Sequence, residues 1–438
     1  MVVYVLNKQG EPLMPCSPGK ARRLLVQGRA KVVSRTPFTI QLLYGSSGYK
    51  QAVTLGVDAG SKVIGIAAVG NGQVLYASEV KPRSDISDKM KQRAAYRRTR
   101  RGRKLRYRKP RFSNRKRPSG WLTPTLRSKI QTHTREISFV KSILPIKEVV
   151  IETASFDIHK IINPKVSTSG YQEGRQKDFA NVKQFVLARD SYQCQKCQGK
   201  KKEKKLHVHH VVFRSAGGTN SPDNLITLCK TCHDELHLQK DAEKASLLLL
   251  KKLPERTADA VQVSTISAYL KKELFFKETF GYETKCKRQS LGLPKAHYID
   301  AICIALQEKE PLKLPSTLFK KVCVPLGDYQ QTAGRHSEKN IPTGKILGFK
   351  KFDKVEWLGK ELFIKGRMST GYAVVMDIEG ITIPVKPMVK LKQAKRLAAR
   401  RSCLISQTPI GSFPLNTTSF LSANTENLSS LTPLLAIL

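Results

Sequence analysis

Two C-x-x-C pairs, Cys194 with Cys197 and Cys229 with Cys232, constrain this chain more than any other feature. Four thiolates presented on two knuckles can close a tetrahedral zinc site with no open position, and such a site dictates the fold of everything between its halves. The nine cysteines are an odd number. The amino-terminal stretch MVVYVLNKQGEPLMP has no basic n-region and too short an apolar run for a secretion signal. Metal binding in a reducing cytoplasm is therefore expected, rather than disulfides. No window of about 18 apolar residues exists to span a bilayer.

Between the pairs lies LHVHHVVFRSAGGTNSPDNLITLC, and HDELH follows directly. A strand turning at Gly217-Gly218 and returning through Ile226 into a helix at Thr231 predicts a ββα unit, with His233 and His237 on one helix face. The cysteines alone would suit a zinc ribbon that merely binds nucleic acid. The histidines suit more. Phosphodiester hydrolysis needs an imidazole to activate water, a group to orient that imidazole, and ligands for a cation on the scissile phosphate. The order His-His, Gly-Gly, Asn, C-x-x-C-His resembles the HNH endonuclease family. By position, that resemblance makes His210 the general base, Asn224 its orienting residue, and His209 and His233 ligands of a catalytic metal. His237 is a candidate further ligand, and His207 receives no role.

Charge narrows the partner. The chain has 438 residues, enough for about two to four domains. Its 78 Lys and Arg against 34 Asp and Glu leave a net charge of +44, which repels itself unless a polyanion neutralises it. Sixteen of the basic residues fall between Lys89 and Arg117, with no acid among them and no proline before Pro110, so a helix is expected over 88–109. Arg93, Arg97, Arg100, Arg101, Lys104 and Arg108 recur at three- or four-residue steps, and Arg98, Arg103 and Arg106 project from another face. This pattern fits contact with a sugar-phosphate backbone better than a solvated face.

Three acids complete the pattern. Asp58 ends the apolar strand TLGVD, the first of a three-strand meander that continues through KVIGIAAV and QVLYASEV. Glu152 ends a second apolar strand, EVVIE, which follows a helical stretch near 125–143. Asp300 lies on a helix three residues after His297. Each alone reads as an ordinary strand-end or helix-surface acid. Together they resemble the three motifs of RuvC-type nucleases, which implies that Asp58, Glu152 and Asp300 bind a pair of hard divalent cations while His297 helps position or activate water.

An HNH unit between the second and third of these motifs, with an arginine-rich helix after the first, resembles the IscB family of transposon-encoded RNA-guided DNA endonucleases, relatives of the type II CRISPR effectors. Pro12-Leu13-Met14-Pro15 matches the PLMP motif of that family's first domain. The resemblance covers roughly residues 1–390 and implies a multidomain α/β protein. Its parts would be a PLMP domain (1–50), RuvC segments (51–86, 118–160 and 241–311), a bridge helix (87–117), a linker (161–185) and an HNH domain (186–240). A second linker (312–342), a small β-barrel reading a target-adjacent motif (343–392) and a tail (393–438), Ser- and Thr-rich and without expected order from about 402, would follow. Mg²⁺ or Mn²⁺ at both centres, structural Zn²⁺, a structured guide RNA and double-stranded DNA are implied, in a monomeric ribonucleoprotein of the prokaryotic nucleoid. Two other readings stand beside it: an RNA-independent homing or restriction-type HNH nuclease, and a non-catalytic binder of structured RNA.

Overall fold

The computed structural model describes residues 2–46, 48–102, 118–154, 179–201, 203, 205–216, 218–239, 241–249, 258–306, 312–325 and 345–410, without the side chains of 100–102, 243 and 258. The chain divides into two compact units, Met1–Ser155 with Gln262–Leu438, and Phe156–Val261. The second interrupts the first in sequence, and the architecture is mixed α/β.

In the first unit, β1 (Val3–Leu6), β2 (Pro12–Cys16), β3 (Ala30–Arg35) and β4 (Phe38–Leu42) form a sheet in the order β2-β1-β4-β3, with α1 (Pro18–Val26) following β2 in sequence. Helix α1 begins at Ser17, whose hydroxyl accepts from the Lys20 N–H, and Pro18 supplies a preset φ in its first turn. The Pro12–Pro15 motif lies in β2, an edge strand, where missing N–H donors cost no ladder bonds.

Apolar runs build the central sheet. Strands β5 (Val53–Asp58), β6 (Ile64–Gly70) and β7 (Gln73–Lys81) form the expected antiparallel meander. Helix α2 (Ile86–Gly102) follows, then α3 (Pro124–Ile143), and β8 (Ile146–Glu152) runs parallel to β5. Of the basic residues expected on the long helix, Arg93, Arg97 and Arg98 are exposed on α2. The side chains of Arg100 and Arg101, and all of Arg103, Lys104, Arg106 and Arg108, lie outside the described residues.

In the second unit, α4 (Val182–Arg189) precedes a two-stranded antiparallel sheet of β9 (Leu206–His210) and β10 (Leu225–Cys229), followed by α5 (Lys230–Leu238) and α6 (Ala242–Leu247). The ββα order predicted from the histidine spacing is thus present. Helix α7 (Ala258–Glu273), β11 (Lys277–Thr279), α8 (Gly281–Ser290), α9 (His297–Ala305) and β12 (Thr317–Cys323) come next.

The C-terminal strands are β13 (Lys354–Trp357), β14 (Lys360–Arg367), β15 (Tyr372–Met376), β16 (Thr382–Ile383), β17 (Val389–Lys390), β18 (Lys395–Ala398) and β19 (Cys403–Pro409). The central sheet is seven-stranded and mixed, in the order β11-β8-β5-β6-β7-β12-β19. Period-2 alternation assigns its faces. Leu55, Val57, Ile64 and Ile66 pack with Ile130, Ile137 and Val140 of α3 and Ile266 and Leu270 of α7. Ala67 and Val69 point the other way, into a core with Ile299, Ala301 and Ile302 of α9.

Three expectations need correction. The linker expected over 312–342 contains β12, which pairs in parallel with β7. Its lysines disguised it: Lys321 is buried, donates to Glu136 Oε2 at 2.6 Å, and lies 4.0 Å above the Phe139 ring. The tail (393–438) contains β18, and its Ser- and Thr-rich part, expected without order from about 402, contains β19, which closes the sheet edge antiparallel to β12. Its polar alternation gains a partner only through this distant pairing. Finally, the block expected as a barrel is an open antiparallel sheet among the described residues, in the order β16-β15-β14-β13-β18 with β17 on β15.

Candidate functional site

Two clusters of ionisable side chains form, one in each unit. In the first, the parallel register of β5 and β8 sets Asp58 opposite Glu152. The chain leaves Asp58 through a turn in which a Cβ at Gly60 would meet the Val63 carbonyl oxygen at 2.0 Å, so glycine is required there. Helix α9 then lies directly on the sheet backbone. A Cβ at Gly65 would sit 1.9 Å from the His297 carbonyl oxygen, and one at Gly56 would sit 2.2 Å from that of Ala301. These two glycines bring the first turn of α9, with His297 and Asp300, down to the end of β5.

His297 Nδ1 is 2.6 Å from Asp58 Oδ2, and this bond, more than any other influence, raises the His297 pKa. Burial pushes the Glu152 and Asp300 carboxyls up, and the negative charge of Asp58 adds to the rise in both. Asp300 also raises Glu152. All three acids therefore share one field. Arg288 Nε lies 2.9 Å from Asp300 Oδ1, with both side chains largely buried, and Lys295 lowers the pKa of both Glu152 and Asp300. Neither cation stands out in the sequence, because both belong to an ordinary basic helix and its following loop.

The second cluster is local. The sulfurs of Cys194, Cys197, Cys229 and Cys232 lie within 4.8 Å of one another, and so do ligand atoms of His209, His233 and His237. Among the described residues, these are the two sets of three or more potential metal ligands that gather so closely. The carboxylates of Asp58, Glu152 and Asp300 are spread more widely. The Cys197 thiol is held down to about 6, chiefly by the Lys201 backbone N–H.

His209 is buried on β9, and burial followed by the neighbouring imidazoles holds its pKa down to about 4. Its Nε2 lies 2.9 Å from Ser246 Oγ, while that hydroxyl donates to the Val211 carbonyl at 2.8 Å. The single hydroxyl proton is thus committed, so His209 Nε2 must carry the donor hydrogen and Nδ1 keeps its lone pair. Ser246 has no signal in the sequence, since it lies beyond the motif on α6. His237 joins His209 and His233 in the trio. His207, which the motif leaves without a role, stacks on His233 at 5.1 Å between centroids.

His210 and Asn224 do not meet as expected. Asn224 is fully buried and staples the hairpin: it accepts from the Val212 N–H at 2.8 Å and donates to the Val212 and Thr219 carbonyls. The ring of His210 is instead bonded by Asn220, whose Oδ1 lies 2.9 Å from Nε2, and Arg214 Nε reaches the same nitrogen at 3.2 Å. A single nitrogen cannot donate to Asn220 and accept from Arg214 together, so the ring tautomer selects the partner. Asn220 is one of two asparagines in the turn, and spacing alone does not distinguish them.

Residues 194–239 match the HNH endonuclease family model, so this part of the chain is an HNH endonuclease domain. Residues 3–174, which include Asp58, Glu152 and the arginine run, match the model described as RRXRR protein. The chain is also similar to the type IV methyl-directed restriction enzyme EcoKMcrA of Escherichia coli (strain K12), at 49% identity over 39 residues. That similarity spans 9% of this chain and 14% of the restriction enzyme. Among the described residues, no helix is long and apolar enough to cross a membrane.

Proposed function

We propose that the chain is an RNA-guided DNA endonuclease with two cutting centres, of the IscB kind. The HNH centre cuts the strand paired with the guide, and a RuvC-type centre at Asp58, Glu152, His297 and Asp300 cuts the displaced strand. The observation that carries the two-centre reading is the shared field of three acids drawn from two strands and a distant helix.

The donor sets fit metals of different character. Partly buried carboxylates that raise one another lack positive charge, which suits Mg²⁺ or Mn²⁺ held by Asp58, Glu152 and Asp300. Three imidazoles, one locked with Nδ1 free, suit a borderline ion such as Zn²⁺, Ni²⁺ or Co²⁺ better than Mg²⁺. The four cysteines suit structural zinc. Bound at the two centres, such cations would polarise the scissile phosphate and acidify a water.

The chain's own groups handle orientation and protons. Asp58 fixes the ring of His297 through Nδ1, which leaves Nε2 to receive a proton from water. His210 takes the equivalent proton in the HNH centre, Asn220 sets its ring, and Asn224 holds the hairpin that carries both. Arg214 offers a cation beside His210 for the phosphate. Arg93, Arg97 and Arg98 on α2 grip nucleic-acid backbone, so that sequence choice falls to base pairing.

The test is strand-resolved cleavage of a plasmid matching the RNA that copurifies with the chain. His210→Ala is expected to slow cleavage of the paired strand by about 10²–10⁴-fold. Asp58→Ala should abolish cutting of the other strand alone. Wild-type nicking that survives both changes would sink the two-centre reading. The likeness to the restriction enzyme favours a second reading, in which the HNH centre needs no RNA. Sequence-specific cutting by protein stripped of RNA would select it.

A further inference from the structure

Apart from the metal-binding quartet, one other pair of cysteines meets among the described residues. Cys323 ends β12 and Cys403 begins β19, and the antiparallel register places them opposite one another. The Val324 N–H donates to the Ser402 carbonyl at 2.8 Å, one step beyond the pair. Cys323 and Cys403 therefore occupy a non-hydrogen-bonded position, where facing side chains approach most closely. Their sulfurs are 3.0 Å apart.

Arg135 on α3 directs Nη2 at both, 3.2 Å from each sulfur. A guanidinium on both donors opposes a cation there, and the nearest acid, Glu136, is committed to Lys321. The site is thus not a second metal centre. Cationic surroundings favour a thiolate, the reactive form of cysteine. Cys403 hydrogen-bonds the Cys323 sulfur and, with Arg135, outweighs burial to hold that thiol down to about 7. The same bond and burial push the Cys403 thiol up, so one sulfur is set to react first and the other to follow.

We propose that Cys323 and Cys403 are a modification site, a dithiol that peroxide converts to a cross-strand disulfide between β12 and β19. The Cys323 thiolate attacks one oxygen of hydrogen peroxide, forming an S–O bond and expelling hydroxide, which leaves as water after taking up a proton. The Cys403 sulfur, as it loses its proton, attacks Cys323 sulfur, forms the S–S bond and expels the second hydroxide, which departs with that proton as water. Two thiols and one peroxide become one disulfide and two waters. The bond would join the ends of the segment Val324–Ser402, which holds β13 to β18, and so restrict the unfolded chain.

The experiment treats the reduced, metal-loaded full chain with hydrogen peroxide, alkylates the remaining thiols under acid quench and identifies linked peptides by mass. The Cys323 and Cys403 peptides should be joined, each one hydrogen lighter, and a thiol reductant should release them. The unfolding temperature should rise on oxidation in the wild type and not in Cys403→Ser. Arg135→Leu should slow linkage roughly tenfold near neutral pH, by reducing the thiolate fraction. Arg135→Lys should restore most of the rate. If Arg135→Leu fails to fold, Cys403→Ser still decides, because its Cys323 should accumulate as a sulfenic acid trapped by a dione reagent. Recovery of both cysteines fully alkylated while exposed Cys286 is oxidised would overturn the proposal, as would linkage that appears only after denaturation.

Discussion

The carboxylate cluster and the imidazole–thiol cluster were assembled in opposite ways. Asp58, Glu152 and Asp300 meet only because a parallel register, a mixed sheet and a helix pressed onto two glycines all hold at once. The seven candidate Cys and His ligands lie within 194–237, on one hairpin, its helix and the turns that precede the hairpin, and need little beyond that unit. The first cluster is therefore a product of the whole fold, and its arrangement should survive without the proposed ions. The second has a small core around Val211, Leu228 and Leu236, and its fold should lean on its metal.

The largest expected effect follows from that asymmetry. Cys232→Ser, or removal of zinc by a strong chelator, should unfold the ββα unit, since structural zinc in comparable sites supplies on the order of 10 kcal/mol. Hydrogen exchange would read the outcome: amides of β9, β10 and α5 should lose protection while those of β5, β6 and β8 keep theirs. Equal loss in both regions would erase the distinction.

The converse perturbation is Gly65→Ala. Its Cβ would lie 1.9 Å from a backbone oxygen of α9, with no flexible side chain to yield, so the helix must move. A cost of about 3 kcal/mol or more is expected, at the upper end for overpacking. Cleavage at the carboxylate centre should fall far more than cleavage at the HNH centre, measured on separate strands. Selective loss at the histidine centre instead would contradict the assignment of α9 to the acid site.

What the sequence makes legible follows the same division. The Cys and His spacing can be read directly, because candidate ligands that lie close together along the chain leave a local record. Asp58, Glu152 and Asp300 can be placed only through their order along the chain, since each alone is an unremarkable acid. Their supports leave no such trace. Gly56 and Gly65 read as weak points in strands until α9 is known to cross them, and Arg288 and Lys295 vanish into a generally basic composition. Strand β12 carries a lysine that groups on other elements, Glu136 and the Phe139 ring, make tolerable indoors. Strand β19 was hidden for a related reason, because its pairing partner lies across the entire C-terminal sheet in sequence.

Not every histidine in the molecule is a ligand candidate, and His133 sharpens the contrast. It is fully buried on α3, its Nδ1 is 2.8 Å from the Lys129 carbonyl, and burial holds its pKa down to about 4. The unfolded chain protonates this group near pH 6.5. As pH falls from there, the unfolded state binds the proton first, so stability is lost progressively down to about pH 4. The lost amount is about 3 kcal/mol by linkage. A urea titration at several pH values should show a shallower decline over this window in His133→Gln, without any change in metal content. A variant that lost metal would place His133 among the ligands.

The smallest effect separates stability from site geometry. Gly281 opens α8, and a Cβ there would lie 3.1 Å from Glu152 Oε1. Its φ is not in the left-handed region, so alanine fits the backbone and removes freedom from the unfolded chain, a gain of about 0.4–1 kcal/mol. The contacted atom is the end of a side chain, which can turn aside by a few tenths of an ångström at little cost to the fold. It cannot do so without leaving its place opposite Asp58. Gly281→Ala should thus hold or slightly raise the unfolding temperature while slowing displaced-strand cleavage several-fold and leaving the HNH cut unchanged. If both cuts kept their wild-type rates, the exact placement of the Glu152 carboxylate would not matter to catalysis. The acid cluster would then be a feature of the fold rather than a cutting centre.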